Sequence, residues 1–139
     1  MMHLQEIFDE NGNKLSPKLP IGMNNFLIDI DGTICDDIPN EEPERMLTAA
    51  EIPGAKEQLN KWHDEGHIIT FFTSRLEEHR AYTEQWLSEH GFKFHGIVFC
   101  KPRGGNYHWI DDRPVRATHF SGKFTELVEK SKKVWVFEE

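Results

Sequence analysis

Phe26-Leu27-Ile28-Asp29-Ile30-Asp31-Gly32-Thr33 is the stretch on which the reading of this chain turns. Its apolar residues run without alternation, as in a strand buried on both faces, and it breaks off in a turn at Asp31-Gly32-Thr33. Downstream the same pattern recurs between helical periods. Pro53 opens a helix in which Ala55, Leu59 and Trp62 fall at i, i+4 and i+7, and Gly66 ends it. Residues 67–72 read as a second strand. Residues 77–90 read as a helix with Thr83, Trp86, Leu87 and His90 on one side and Gly91 as its stop. Phe94 to Phe99 reads as a third strand and Tyr107 to Ile110 as a short fourth. Phe124, Leu127 and Val128 mark a last helix, and residues 134–137 a last strand. Upstream, residues 1–22 form a polar extension, either a small hairpin around Asn11-Gly12 or a loose prelude to a domain over 23–139.

Alternating strands and helices with apolar strands imply an α/β fold with a mainly parallel sheet covered on both faces. The 139 residues suffice for one domain of ordinary size. With 16 basic and 24 acidic residues the formal charge is −8, which disfavours a sequence-independent nucleic-acid binder. No apolar run approaches the roughly 18 residues of a membrane span, and residues 1–10 lack the pattern of a secretory signal. Two cysteines, Cys35 and Cys100, fit reduced thiols in a cytoplasmic protein.

In open parallel sheets, ligands bind beyond the carboxyl ends of the strands. The reactive residues of this chain fall at those ends: Asp29 and Asp31 after the first strand, Thr73-Ser74-Arg75 after the second, Cys100-Lys101-Pro102 after the third, Asp111-Asp112-Arg113 after the fourth. Clustered carboxylates repel unless a cation holds them, and hard oxygen donors suit Mg²⁺. Asp29 and Asp31, two residues apart in a strand, point to one face. A carboxylate nucleophile, a metal, a hydroxyl donor and a lysine are the parts of phosphoryl transfer.

These residues resemble the four motifs of the haloacid dehalogenase-like hydrolase superfamily. Asp29-Ile30-Asp31-Gly32-Thr33 is similar to the first, Thr73 to the second, Lys101 to the third and Asp111-Asp112 to the acidic fourth, over residues 24–113. The resemblance implies a Rossmann-like three-layer fold and a Mg²⁺-dependent phosphatase. It implies that Asp29 is the nucleophile, forming an aspartyl-phosphate, and that Asp31 is the acid and base. Thr73 and Ser74 would bind the phosphoryl group, and Lys101 would neutralise charge and orient Asp29. The metal would sit on Asp29, the Asp31 carbonyl, and Asp111 or Asp112. Phosphatases and mutases of the superfamily carry an Asp at position 31, whereas its dehalogenases do not.

The chain has no room for a cap domain, so it resembles capless members, with residues 34–50 as a candidate flap and a second copy as another way to cover the site. The run Asp31-Gly32-Thr33-Ile34-Cys35-Asp36-Asp37 and the ending Ile110-Asp111-Asp112-Arg113 resemble small phosphatases of capsule and polysaccharide synthesis. Thr73-Ser74-Arg75 with Trp109 to Arg113 resembles the phosphatase half of polynucleotide kinase-phosphatases. The negative charge favours the first group, with a sugar phosphate or similar small metabolite as substrate. A nucleic-acid 3′-phosphatase and a non-catalytic phosphate-binding protein are the alternatives. Arg75 and Arg113 read as phosphate contacts or as partners of nearby carboxylates, with the second favoured for Arg113. His63 and His67 read as structural, because Gly66 interrupts their helical spacing. The tryptophans, Trp109 included, read as core rather than as a stacking platform.

Overall fold

The computed structural model describes residues 7–104 and 107–124. The N-terminal segment forms an antiparallel hairpin, β1 (Ile7–Phe8) with β2 (Lys14–Leu15). Its turn is held by Asp9, whose carboxylate accepts the backbone N–H groups of Asn11 and Asn13. The hairpin is therefore the alternative that forms. Next comes the apolar run, of which Asn25–Ile28 is laddered as β3.

Three strands build a parallel sheet in the order β3, β4 (Ile68–Phe72), β5 (Gly96–Val98). The register sets Ile28 beside Phe71 and Phe72 beside Val98. All three carboxyl ends therefore open at one edge. Between the strands lie α1 (Ala55–Asp64) and α2 (Arg80–Glu89), the latter preceded by a 3₁₀ turn at Glu77–His79. The architecture is the α/β, Rossmann-like one that the alternation implies.

The helices form where the periodicity places them. In α1, Ala55 and Leu59 are buried, and Trp62 stacks on Phe26 of β3 with ring centroids 4.1 Å apart. Gly54 begins the helix at a φ of 85°, where a side chain is strained, and a Cβ there would meet Phe124 at 3.2 Å. In α2, Thr83, Trp86 and Leu87 face the core. The Trp86 indole donates to the Ala49 carbonyl (2.9 Å). That bond fastens a second 3₁₀ segment, Pro43–Thr48, against α2, with Met46 fully buried. The 34–50 stretch is thus anchored at its far end. Its outer part is an acidic arch that exposes Asp36, Asp37, Glu41, Glu42 and Glu44, and it is held in the middle by Ile38, which is buried in the core.

Three expectations need correction. The third strand is shorter than Phe94 to Phe99, because Phe94 and Phe99 are buried by packing rather than by pairing. Residues 107–110 form no strand, and Trp109 is 54% exposed instead of lying in the core. The side chains here are bonded locally: Tyr107 donates its hydroxyl to the Pro102 carbonyl (2.8 Å) and Trp109 its indole N–H to Asp111 (3.3 Å). Residues 125–139, to which the sequence reading assigns the body of a helix and a final strand, lie outside the described residues. Among the described residues no helix is long and apolar enough to cross a membrane.

Candidate active site

β3 hands over to a tight turn. Gly32 takes a φ of 82° and donates its N–H to the Cys35 carbonyl (2.8 Å), while Thr33 and Ile34 bond back to the Ile30 carbonyl. This curl turns the Thr33 hydroxyl onto Asp29 Oδ2 (3.0 Å). The other carboxylate oxygen, Oδ1, meets Lys101 Nζ at 3.0 Å. Asp29 keeps 39% of its side chain exposed, whereas Lys101 keeps 9%. A half-open carboxylate is thereby aimed by two partners from opposite sides.

Lys101 reaches Asp29 because the chain after β5 is tied to the chain after β4. The Lys101 N–H donates to the Thr73 carbonyl (2.8 Å) and the Cys100 N–H to the Arg75 carbonyl (2.8 Å). Cys100 takes a left-handed φ of 65° to make that turn. The ammonium then lies between two rings, 5.4 Å from the centroid of Phe72 and 5.1 Å from that of Tyr107. Thr73 is fully buried, and its hydroxyl accepts the Arg75 N–H (3.1 Å). Ser74 is half-buried, and its carbonyl accepts the Asn40 amide from the acidic arch (3.2 Å).

Arg75 is the residue that the sequence undervalues. It is 1% exposed and cannot reach out to a substrate as a rim arginine would. Its Nε and Nη2 grip both oxygens of Asp31 at 2.9 and 2.8 Å, while Nη1 donates to the Thr83 hydroxyl of α2 (3.0 Å). A planar guanidinium matches a carboxylate bidentately. So Asp31, although two residues from Asp29, is held by Arg75 and not by the lysine. Cys35 Sγ sits beside this pair, 3.8 Å from the guanidinium. Burial, reinforced by the Asp31 charge, pushes its thiol up to about 12.

The fourth cluster is placed differently from the other three. Asp111 and Asp112 are exposed. Asp111 accepts from the Trp109 indole and the Arg113 N–H (3.1 Å). The Arg113 amide first, then the Asp112 and Trp109 side chains, hold its carboxyl below the ordinary range. Among the described residues no three Asp, Glu, His or Cys side chains converge as a metal centre would require. The donor chemistry at Asp29 still suits magnesium, which needs only one or two carboxylates and keeps most of its water. The Asp31 side chain does not suit it, since Arg75 occupies both oxygens.

Known proteins resemble this chain in sequence and in fold. The sequence profile of the LNS2 domain of the PITM 1-3 proteins matches residues 26–110, a stretch that holds Asp29, Asp31, Thr73 and Lys101 and stops just before the acidic pair. Membrane-associated phosphatidylinositol transfer protein 3 of mouse and of human is 28% identical over 81 residues, 58% of this chain but 8% of theirs. A Bacillus cereus protein named "Putative nucleotidase" is 30% identical over 92 residues, 58% of this chain and 48% of that one. The chain thus spans a small part of the first two and about half of the third. Among solved structures, one from Vibrio cholerae aligns over 80% of this chain and 98% of its own, with a TM-score of 0.53 at 24% identity. The Pnkp1/Rnl/Hen1 complex aligns over 71% of this chain and 38% of its own, with a TM-score of 0.51 at 14% identity. These two likenesses concern the fold. With the profile covering more than half of its length and the strand-end residues in place, the chain belongs to the LNS2 domain family, a haloacid dehalogenase-like phosphatase fold.

Proposed function

We propose that this protein is a phosphomonoesterase that works through an aspartyl-phosphate on Asp29. The observation that carries the reading is the carboxylate itself: one oxygen bonded to Lys101, the other to Thr33, at the open end of a parallel sheet. A carboxylate held at both oxygens is oriented for in-line attack on phosphorus, and the lysine faces the charge that spreads over the phosphoryl oxygens.

In the first step the Asp29 oxygen forms a bond to phosphorus as the ester oxygen leaves. Asp31 gives that oxygen its proton, so the alcohol departs neutral. In the second step water attacks phosphorus, the bond to Asp29 breaks, and the proton from water returns to Asp31. Asp31 can carry a proton only as one of its two bonds to Arg75 lengthens. Arg75 therefore sets both where the acid stands and how readily it lets go. Ser74, half-buried on the loop that also carries Arg75, would hold the phosphoryl oxygens, whereas the fully buried Thr73 hydroxyl accepts the Arg75 N–H and shapes that loop.

Asp29 and the Asp31 carbonyl would hold magnesium, which would neutralise charge on the phosphoryl group, while the exposed Asp111 and Asp112, which the resemblance implies as further ligands, do not converge with Asp29 in this structure. The substrate is a small phosphate ester of a sugar hydroxyl. A net charge of −8 and the acidic arch over 36–45 repel a polyanion. The same arch, or a second copy of the chain, would exclude water from an enzyme with no cap. The name of the Bacillus cereus relative supports a phosphate-ester substrate.

The test is phosphate release from a panel of sugar phosphates, nucleoside monophosphates and an aryl phosphate, with and without a chelator. Release should stop with chelator and return with Mg²⁺. Asp29→Asn should abolish release and leave the far-ultraviolet circular dichroism unchanged. A folded Asp29→Asn protein with normal turnover would refute the mechanism.

A further inference from the structure

Lys101 carries its charge on a flexible four-carbon stem, yet it keeps only 9% of its side chain exposed and stands on one oxygen of Asp29. Its ammonium has three N–H donors. Among the described residues one of them goes to Asp29 Oδ1, at 3.0 Å. A single ion pair with a half-open carboxylate is weak in water and does not fix a long side chain.

Two aromatic rings supply what that bond lacks. Nζ lies 5.4 Å from the centroid of Phe72 and 5.1 Å from that of Tyr107, both inside the roughly 6 Å over which the negative face of a ring attracts a cation. Each ring is placed by a different device. Phe72 closes β4, and strand alternation sends it to the face opposite Ile69 and Phe71, which are buried in the core. The Lys101 N–H, on the Thr73 carbonyl, sets the lysine backbone beside it. Tyr107 is tied through its hydroxyl to the carbonyl of Pro102, the residue after Lys101. One ring is therefore fixed by the sheet and the other by the lysine's own loop. Tyr107 is 59% exposed while the lysine beneath it is nearly covered, so its ring stands on the solvent side of the ammonium.

Rings differ from carboxylates in what they ask of a cation. A second carboxylate would draw the remaining N–H groups into hydrogen bonds of its own. A ring face attracts the charge and is only a weak acceptor. The donors that Asp29 leaves over therefore stay available to phosphoryl oxygens.

We propose that Phe72 and Tyr107 are positioning residues, an aromatic clamp that holds the Lys101 ammonium on Asp29 and keeps its other donors for the phosphoryl group; this rests on the phosphatase reading and adds to it two residues that act through the lysine.

The experiment alters the outer ring, whose loss opens no cavity in the core. Tyr107→Leu keeps an apolar side chain without a π face. It should lower kcat/KM for the best ester of the phosphate-release panel by about 5- to 30-fold, the worth of one ring contact to a largely desolvated ammonium. Tyr107→Phe keeps the face, loses only the hydroxyl tether, and should stay within about 3-fold of the unaltered protein. Adding one, two and three fluorines to that phenylalanine weakens the negative face at nearly constant shape, and kcat/KM should fall with each. A ring that merely fills space would not respond to them. A second measurement needs no turnover. The ε-methylene protons of Lys101, identified by their loss in Lys101→Arg, should resonate upfield of ordinary lysines, and Tyr107→Leu should return them toward the ordinary position. Unchanged turnover in Tyr107→Leu, or a flat response to fluorine, overturns the clamp while leaving the phosphatase in place. Equal losses in Tyr107→Phe and Tyr107→Leu also overturn it, because the tether and not the ring would then be the working part. If the unaltered protein releases phosphate from no ester, yet the Lys101 protons lie upfield and follow Tyr107→Leu, the phosphatase reading fails and the clamp on the ammonium stands.

Discussion

Replacing Arg75 with methionine tests the organisation of the site most directly. The methionine side chain would fill much of the same volume. It would leave Asp31, whose side chain is only 16% exposed, without its two charged bonds. Removing one partner of a buried ion pair costs about 3–5 kcal/mol, because a charge is left uncompensated. The residual exposure of Asp31 places this case at the lower end, about 3 kcal/mol. The Thr83 hydroxyl would lose Arg75 but keep its bond to the His79 carbonyl (2.9 Å), so little is added there. In a domain of this size, about 3 kcal/mol corresponds to a drop in Tm of about 10 °C. Exchanging both residues, Asp31→Leu with Arg75→Met, should recover most of the loss, since an apolar pair of similar volume leaves no charge buried. Urea unfolding of the unaltered protein, both single variants and the double variant gives the coupling energy directly. A loss under about 1 kcal/mol for Arg75→Met, or single-variant losses that simply add, would refute the account of Asp31 as a carboxylate held by one buried guanidinium.

Three further outcomes are expected. Trp86→Phe removes the indole bond to Ala49 and should cost about 1–2 kcal/mol. It should also raise amide exchange across residues 43–50, and unchanged exchange there would mean that other contacts hold the segment. A thiol reagent should titrate one cysteine in the folded protein and two in denaturant, because Cys100 is exposed while Cys35 is buried with its thiol pushed up to about 12; rapid loss of both native thiols would contradict the burial of Cys35. Acid should destabilise the fold through His95, whose Nδ1 accepts the Ile69 N–H (3.1 Å). Burial first, then the stacked His63, lowers the His95 pKa below 6.5. The unfolded chain therefore takes up this proton first, so stability is full above about pH 6.5 and falls as the pH drops below it. A variant without this imidazole should show a shallower fall in urea midpoint between about pH 7 and 5.5, and an identical slope would remove His95 as a cause.

The sheet was legible because its strands are apolar with little interruption. Between Phe26 and Ile28 and between Ile68 and Phe72 the one polar side chain is that of Thr70, a residue at home in strands, so both runs suit a sheet, although only β4 is buried as the apolar run implies and Leu27 of β3 stays 41% exposed. The helices were legible from Leu59 and Trp62 in one and from Thr83, Trp86 and Leu87 in the other, at spacings that make one face. The approach of Lys101 to Asp29 followed from both lying at strand ends. Arg75 did not follow, because its burial depends on Asp31 facing it from another strand end and on Thr83 facing it from α2, a coincidence in space that no local pattern encodes. Tyr107 to Ile110 misled for a related reason. Its composition suits a strand, but a strand also needs a neighbouring strand to pair with, which composition does not encode, and among the described residues this segment pairs with none.

The Thr83 hydroxyl accepts from Arg75 and donates to the His79 carbonyl at the head of α2. Asp31, through Arg75, is thus tied to the first turn of a helix as well as to its own turn. A ten-residue helix moves as a rod, whereas a loop bends residue by residue. The Asp31 carboxylate therefore inherits the stiffness of α2, and any force that rolls or slides that helix would be transmitted to the candidate site as a change in where that carboxylate stands.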